Sequence, residues 1–173
     1  MPGARNHSTR LLAAATAATA ALPGCGVYMS DADAVSDPLT PDQSRAQVVE
    51  AATEIMTMLN LPVLRTAFWR ASCNDAGLPP FRGHVRITYP RADTYARADA
   101  EIADMIELLA TRGWADNPGF HSHSRAVVKN SVTAVFRNQN ASVADRAIDV
   151  LGECRDITTP SQVDDDSAWI TLP

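Results

Sequence analysis

At 173 residues, with 46% hydrophobic and 20% charged residues, the chain suits one folded domain and is too apolar for a disordered one. The formal net charge is −5, and Arg5 and Arg10 are the only charges before Cys25, so the chain from that cysteine onward carries −7. An acidic domain is repelled by phosphate backbones and anionic lipid surfaces. Nucleic acid is therefore excluded as an expected partner, and membrane attachment cannot rest on a basic patch.

The first ten residues are mostly polar and carry two arginines without an acid. Leu11 to Leu22 follow, built only of Ala, Leu and Thr. A basic stretch before a short apolar one is the layout of a secretory signal, and a span needs about 20 apolar residues, more than are present. The lack of an Arg-Arg pair favours the general secretion route. Leu22-Pro23-Gly24-Cys25 resembles the bacterial lipobox, in which a small residue precedes the cysteine that receives a diacylglyceryl group. Leu22 and Gly24 fit that pattern; Pro23 departs from the commoner Ser, Ala or Thr. The resemblance implies cleavage between Gly24 and Cys25 and acylation of Cys25. The alternative is an ordinary signal peptide with Cys25 as an incidental thiol. Each buried methylene is worth about 0.8 kcal/mol, so two or three acyl chains hold a protein firmly where one does not.

Residues 1–24 thus read as a lipoprotein signal peptide and 25–39 as the lipidated cysteine with a flexible acidic tether holding Asp31, Asp33 and Asp37. Residues 40–173 read as a single α+β domain. With Cys25 taken as the anchor, Cys73 and Cys154 remain. Outside the membrane such a pair reads as a disulfide; a reactive thiol pair is the alternative, although no Cys-X-X-Cys spacing exists.

The domain opens with Thr40-Pro41-Asp42-Gln43, a helix start with Thr40 as cap, Pro41 at the first position and Gln43 three residues on. Val48, Ala52, Ile55, Met56 and Leu59 recur at helical spacing until Asn60 and Pro62. Residues 64–72 read as a strand leading to Cys73. Residues 74–83, with Gly77, Pro79, Pro80 and Gly83, read as a loop. Val85, Ile87 and Tyr89 alternate with Arg86 and Thr88 as a half-buried strand. A second helix, capped by Asp93, turns Tyr95, Ala98, Ile102, Met105, Ile106 and Leu109 inward and stops at Gly113; Asp99, Glu101, Asp104 and Glu107 form its wet face. Residues 126–128 and 132–137 flank an Asn130-Ser131 hairpin turn. Residues 147–154 make another strand, with Ile148, Val150 and Cys154 on one face. Trp169, Ile170 and Leu172 close the chain as an edge strand after the acidic loop Asp164-Asp165-Asp166. The fold class expected is α+β: two helices on a mainly antiparallel sheet, in the order α-β-β-α and then three or four strands.

The lipobox, Leu-Leu-Ala-Thr-Arg-Gly-Trp at 108–114, the stretch from Ser131 to Asn140 and Gly152-Glu153-Cys154-Arg155 together resemble the LppA-like lipoproteins of mycobacteria over most of the mature chain. That resemblance implies an envelope lipoprotein of undefined biochemical role and carries over no active-site residue.

A search for chemistry finds little. His121 and His123 would share a face of an extended chain, but no nearby ligand completes a metal set, and Gly119, Ser122 and Ser124 suggest an exposed loop. His84, beside Gly83 at a strand start, reads as a surface or strand-edge residue rather than a base. There is no nucleophile elbow, no phosphate loop or dinucleotide fingerprint, and no calcium-hand spacing around Asp164. No catalytic residue, metal or cofactor is assigned. Trp69, Trp114 and Trp169 read as core unless two of them stand exposed side by side, which would mark a binding surface. The leading expectation is a non-enzymatic lipoprotein, anchored by Cys25 to the extracytoplasmic face of the cell membrane, that binds an envelope protein, lipid or glycan. The alternative is an envelope enzyme using His121, His123 or His84.

Overall fold

The computed structural model describes residues 31–120, 123–160 and 168–172. Helix α1 (Pro41–Leu59) starts where local chemistry directs: the Thr40 hydroxyl accepts from the Gln43 amide at 3.2 Å, and the Gln43 side chain accepts from the Thr40 amide at 2.9 Å. This closed capping box satisfies two of the orphan donors at a helix start. Asn60 ends the helix in the left-handed region at φ 44°, which asparagine tolerates. Ser44, Val48, Ala52 and Ile55 form its buried stripe, the i, i+4, i+8 row of an amphipathic helix.

Among the described residues seven strands make one sheet: β1 (Arg65–Ser72), β2 (Phe81–Tyr89), β3 (Ala115–Asp116), β4 (Arg125–Lys129), β5 (Val132–Arg137), β6 (Arg146–Leu151) and β7 (Ala168–Trp169). Their order is β3-β4-β5-β6-β2-β1-β7, and every pairing is antiparallel. Helix α2 (Tyr95–Ala110) lies between β2 and β3 in sequence. The two helices pack together, with α1 against β2 at the sheet's centre. Val85, Ile87, Phe136, Ile148 and Val150 meet Val48, Ile55 and Ile106 in the core between the layers. The expected α+β class and element order hold. The hairpin at Asn130-Ser131 holds as well, both residues taking positive φ (49° and 63°) as a type I′ turn demands.

Several local readings are corrected. The loop read over 74–83 ends sooner, because β2 begins at Phe81 and pairs with β1 from Ser72↔Phe81 onward. Gly83 is not a breaker there. A Cβ on it would stand 2.4 Å from the Ser44 carbonyl oxygen, so its glycine permits the helix to lie directly on the strand, and its amide donates to Ser44 Oγ at 2.8 Å. The strand read as half-buried is more deeply buried than its alternation predicts, since His84 and Thr88 are buried as well as Val85, Ile87 and Tyr89, while Arg86 stays partly exposed. Helix α2 is capped by Thr94, whose hydroxyl accepts from the Arg97 amide at 3.1 Å, rather than by Asp93. Tyr95 is exposed, because the buried stripe of α2 begins only at Ala98. Glu101, read as wet, is half-buried against Arg146. Cys154 lies beyond β6, not on it, and the two-residue strand β3 carries no pattern long enough to announce it.

Cys73 and Cys154 form a disulfide, with Cα atoms 6.0 Å apart, tying the end of β1 to the segment after β6. The stretch read as tether is described from Asp31 and docks at this same end. The Leu39 amide donates to the Arg155 carbonyl at 2.9 Å, Arg155 pairs with the Asp37 carboxylate, and Asn74 reaches Asp31 at 3.4 Å. The leader, Cys25, His121, Ser122 and the Asp164-Asp165-Asp166 loop fall outside the described residues.

Candidate functional site

Strand side chains alternate between faces, and among the described residues α1 and α2 pack on one face of this sheet. The register places Arg65, Ala67 and Trp69 of β1 on the other face, beside His84, Arg86 and Thr88 of β2, Ala147 and Asp149 of β6, and Arg137 of β5. On this face a carboxylate is fully buried: Asp149 is 0% exposed, flanked in the strand by Ile148 and Val150. A buried charge needs partners, and three side chains supply them. Arg86, directly opposite in the ladder, donates from Nε to Oδ1 at 2.6 Å and from Nη2 to Oδ2 at 3.0 Å. Arg137 donates from Nε to Oδ2. His84 Nε2 approaches Oδ1 at 3.2 Å without an aligned hydrogen bond.

Burial alone would raise the Asp149 pKa; the close His84 ring and the Arg86 and Arg137 guanidinium donors outweigh it and hold the carboxyl well below the usual carboxylate range. His84 moves the other way in effect. Burial pushes its pKa below the ordinary histidine value, and the contact with Asp149 does not restore it, so the ring is neutral at pH 7. Trp69 stacks on that ring at 3.7 Å between centroids, and the Arg86 guanidinium lies 5.5 Å from the Trp69 ring. Arg65 stands 5.7 Å from the Trp169 ring and 3.9 Å from Asp145, beyond hydrogen-bond reach. Above the cluster opens a shallow cleft of about 290 Å³, lined among others by Arg65, Arg86, Arg137, Thr88, Asn138 and Asp145.

Other charged contacts are structural. Arg146 is buried, donates to Glu101 at 2.6 Å and to the Pro90 carbonyl at 2.9 Å, and lies 4.7 Å from the Tyr89 ring. It fastens α2 to the sheet. Burial raises the Tyr89 hydroxyl to about 12. Asp156 turns its carboxylate onto Thr158 and Thr159 and closes that turn.

Of the residues singled out in the sequence, His84 belongs to the cluster. His123 is exposed and lines a different cleft with Asp99, Phe136 and Asn138, so these two histidines do not form one site. Among the described residues no group of three metal-ligating side chains stands together, and no helix is long and apolar enough to cross a membrane. Trp114 is buried, whereas Trp169 is 70% exposed. It pairs opposite Ala67, one ladder step from Trp69 on the same face. Sequence reasoning missed Arg65, Arg137 and Asp149. The one signal was Asp149 itself, a charge inside Ala147-Ile-Asp-Val-Leu, where a buried strand admits no unpaired carboxylate.

The profile of a family described as "Putative lipoprotein LppJ" matches residues 40–172. Proteins of that same description from two strains of Mycobacterium tuberculosis and from Mycobacterium bovis are each 34% identical over 179 aligned positions, covering 96% of this chain and 92% of theirs. The mycobacterial lipoprotein resemblance read from the sequence thus holds, with LppJ as the matched family. No solved structure matches the chain.

Proposed function

The chain belongs to the LppJ lipoprotein family, and we propose that it is a non-catalytic binding module of the cell envelope. In this reading Cys25 carries the lipid, and the folded domain stands on the extracytoplasmic face of the membrane. The surface that meets the ligand is the helix-free face of the sheet around Asp149. One observation carries that assignment: a buried carboxylate fixes two arginines there, beside Arg65 and the exposed Trp169, where a face closed only for stability would be apolar. Arginine and tryptophan are the side chains that dominate binding surfaces. His84 is engaged by Trp69 and Asp149, and no nucleophile adjoins it among the described residues, which weighs against the enzymatic alternative.

The test places a photo-crosslinking residue at Arg65, or at the exposed Glu107 of α2, in otherwise intact cells. Adducts of defined mass from position 65 and none from position 107 support the reading; adducts from position 107 alone, or from neither, reject it. Membrane fractionation of Cys25→Ser checks the anchor separately. The variant protein leaves the membrane fraction, and its retention there would overturn the anchor.

A further inference from the structure

We propose that the cleft between Arg65, Arg86 and Arg137 is a phosphate-binding site, taking a ligand that arrives from the side away from the anchoring membrane. This rests on the helix-free face being the binding surface and names what it binds. Arg86 uses only Nε and Nη2 on Asp149, and Arg137 only Nε, so both guanidinium groups retain N–H donors at the cleft they line. Asp149 is a positioning residue: it lies beneath the floor and holds two planar forks in fixed orientation. Arg65 closes the third side, 3.9 Å from Asp145 and not hydrogen-bonded to it. Thr88 and Asn138 also line the cleft, the Asn138 amide donating to Asp99 at 2.6 Å.

Three guanidinium groups face two carboxylates here, Asp149 and Asp145, which leaves the cleft a net positive charge in a chain that is −5 overall. Planar forks that can engage two oxygens at once suit a phosphate. A doubly charged phosphate gains more from three such groups than a carboxylate does. The volume of about 290 Å³ lies at the low end of ligand pockets and accommodates a phosphate with a small organic body.

The direction of approach follows from the topology. Arg65 begins β1 and Arg137 ends β5, at one end of the sheet, whereas Cys73, Asn74 and Arg155 lie at the other. The tether docks at that second end through Asp31, Asp37 and Leu39. β1 has eight residues, which at about 3.3 Å each sets the cleft more than roughly 20 Å from the tether's entry. With the lipid on Cys25 of the proposed anchor, few residues remain between it and the docked Asp31, so the tether end stays near the bilayer and the cleft lies at the end of the sheet farther from it.

The experiment uses the full lipidated protein in neutral detergent at low salt, where screening is weak. The Nε–H resonances of the arginines are followed by NMR while inorganic phosphate, glycerol phosphate or acetate is added, up to roughly 10 mM, enough to load a millimolar site. Phosphate and glycerol phosphate shift Arg86 and Arg137 saturably. Arg65→Gln weakens both affinities about tenfold or more, while Arg112→Gln, an exposed arginine beyond α2, leaves them unchanged. Among the described residues the Arg65 side chain makes its charged and ring contacts with Asp145 and Trp169 alone, both at the surface, so its replacement does not threaten the fold; Arg137→Lys, which keeps the charge and loses the fork, is the second variant and also weakens binding.

Absence of saturable shifts, equal affinity in Arg65→Gln and the parent, or an equal response to acetate overturns the phosphate assignment. Binding to phosphatidylglycerol vesicles that glycerol phosphate competes away overturns the direction of approach. Adducts from position 65 in cells without any phosphate response reject this site and leave the surface reading standing.

Discussion

Asp149→Asn tests whether the buried carboxylate organises the open face. Asparagine keeps the shape and one acceptor oxygen but removes the charge that draws Arg86, Arg137 and His84 together. Breaking a wholly buried pair costs about 3–5 kcal/mol, most of it from the stranded charge. Here the arginine side chains are 41% and 56% exposed and can turn to water, so each of their contacts is discounted toward surface values of about 0.2–1 kcal/mol. What remains is the loss of charge-assisted bonds at a site from which water is excluded, and the expected destabilisation is about 2–3 kcal/mol. For a domain of this size that lowers Tm by roughly 6–15 °C, read by thermal unfolding in circular dichroism at pH 7. A loss below about 0.5 kcal/mol, the ordinary scatter of surface changes, would refute the reasoning. The cycle with Arg137→Gln isolates the pair: losses that simply add would mean that the two side chains are not coupled.

Three further outcomes are expected. Because burial lowers the His84 pKa, the unfolded chain takes up a proton near pH 6.5 that the folded chain refuses. Stability is therefore full above that pH and falls below it, by at most about 1.4 kcal/mol per pH unit until the folded pKa is reached. His84→Gln flattens this limb of a urea-midpoint profile, and an unchanged slope would remove His84 as its cause. Asp149 adds a second loss that begins only as pH falls below about 4, since its folded pKa is depressed. Gly83→Ala drives a Cβ into the Ser44 carbonyl oxygen and to 2.8 Å from Val48, so it costs about 1–3 kcal/mol as overpacking; Gly119→Ala, where the nearest atom is 3.7 Å away, leaves the urea midpoint within error. Replacing both Cys73 and Cys154 by Ser, separated by 81 positions, lowers stability by up to about 4.5 kcal/mol in the chain-entropy limit, and an unchanged midpoint would show that the crosslink constrains nothing.

The parts of this fold that were legible in the sequence are those fixed by neighbours. Thr40, Pro41 and Gln43 settle the start of α1 among themselves, and Asn130-Ser131 sets the hairpin, because caps and turns are decided within a few residues. Asp93 and Thr94 are both able to cap α2; the extended backbone of Thr94 decided between them, and composition does not report it. Gly83 misled for a different reason. Local reading treats glycine as a breaker, whereas its meaning came from α1, whose Ser44 lies 39 positions earlier and bonds it. The site was illegible for the same cause in stronger form. Arg65, Arg86, Arg137 and Asp149 come from four strands, and nothing short of the register Arg86↔Asp149 and Arg137↔Ala147 brings them together.

The presence of Asp149 is itself an argument about function. A well-packed apolar side chain at a buried position is often as stabilising as an ion pair, or more so, so stability alone gives no reason to keep a carboxylate in the centre of β6. Its position does supply something a leucine could not. From beneath the cleft it fixes the inner edge of two guanidinium groups while their outer donors stay at the surface, which is the preorganisation that lowers the cost of ordering long side chains on binding. The overall acidity of the chain works with this arrangement. General repulsion keeps polyanions from coating the domain, while one small cleft with a local positive balance admits a single charged group, so selectivity arises from the contrast between the cleft and the surface around it.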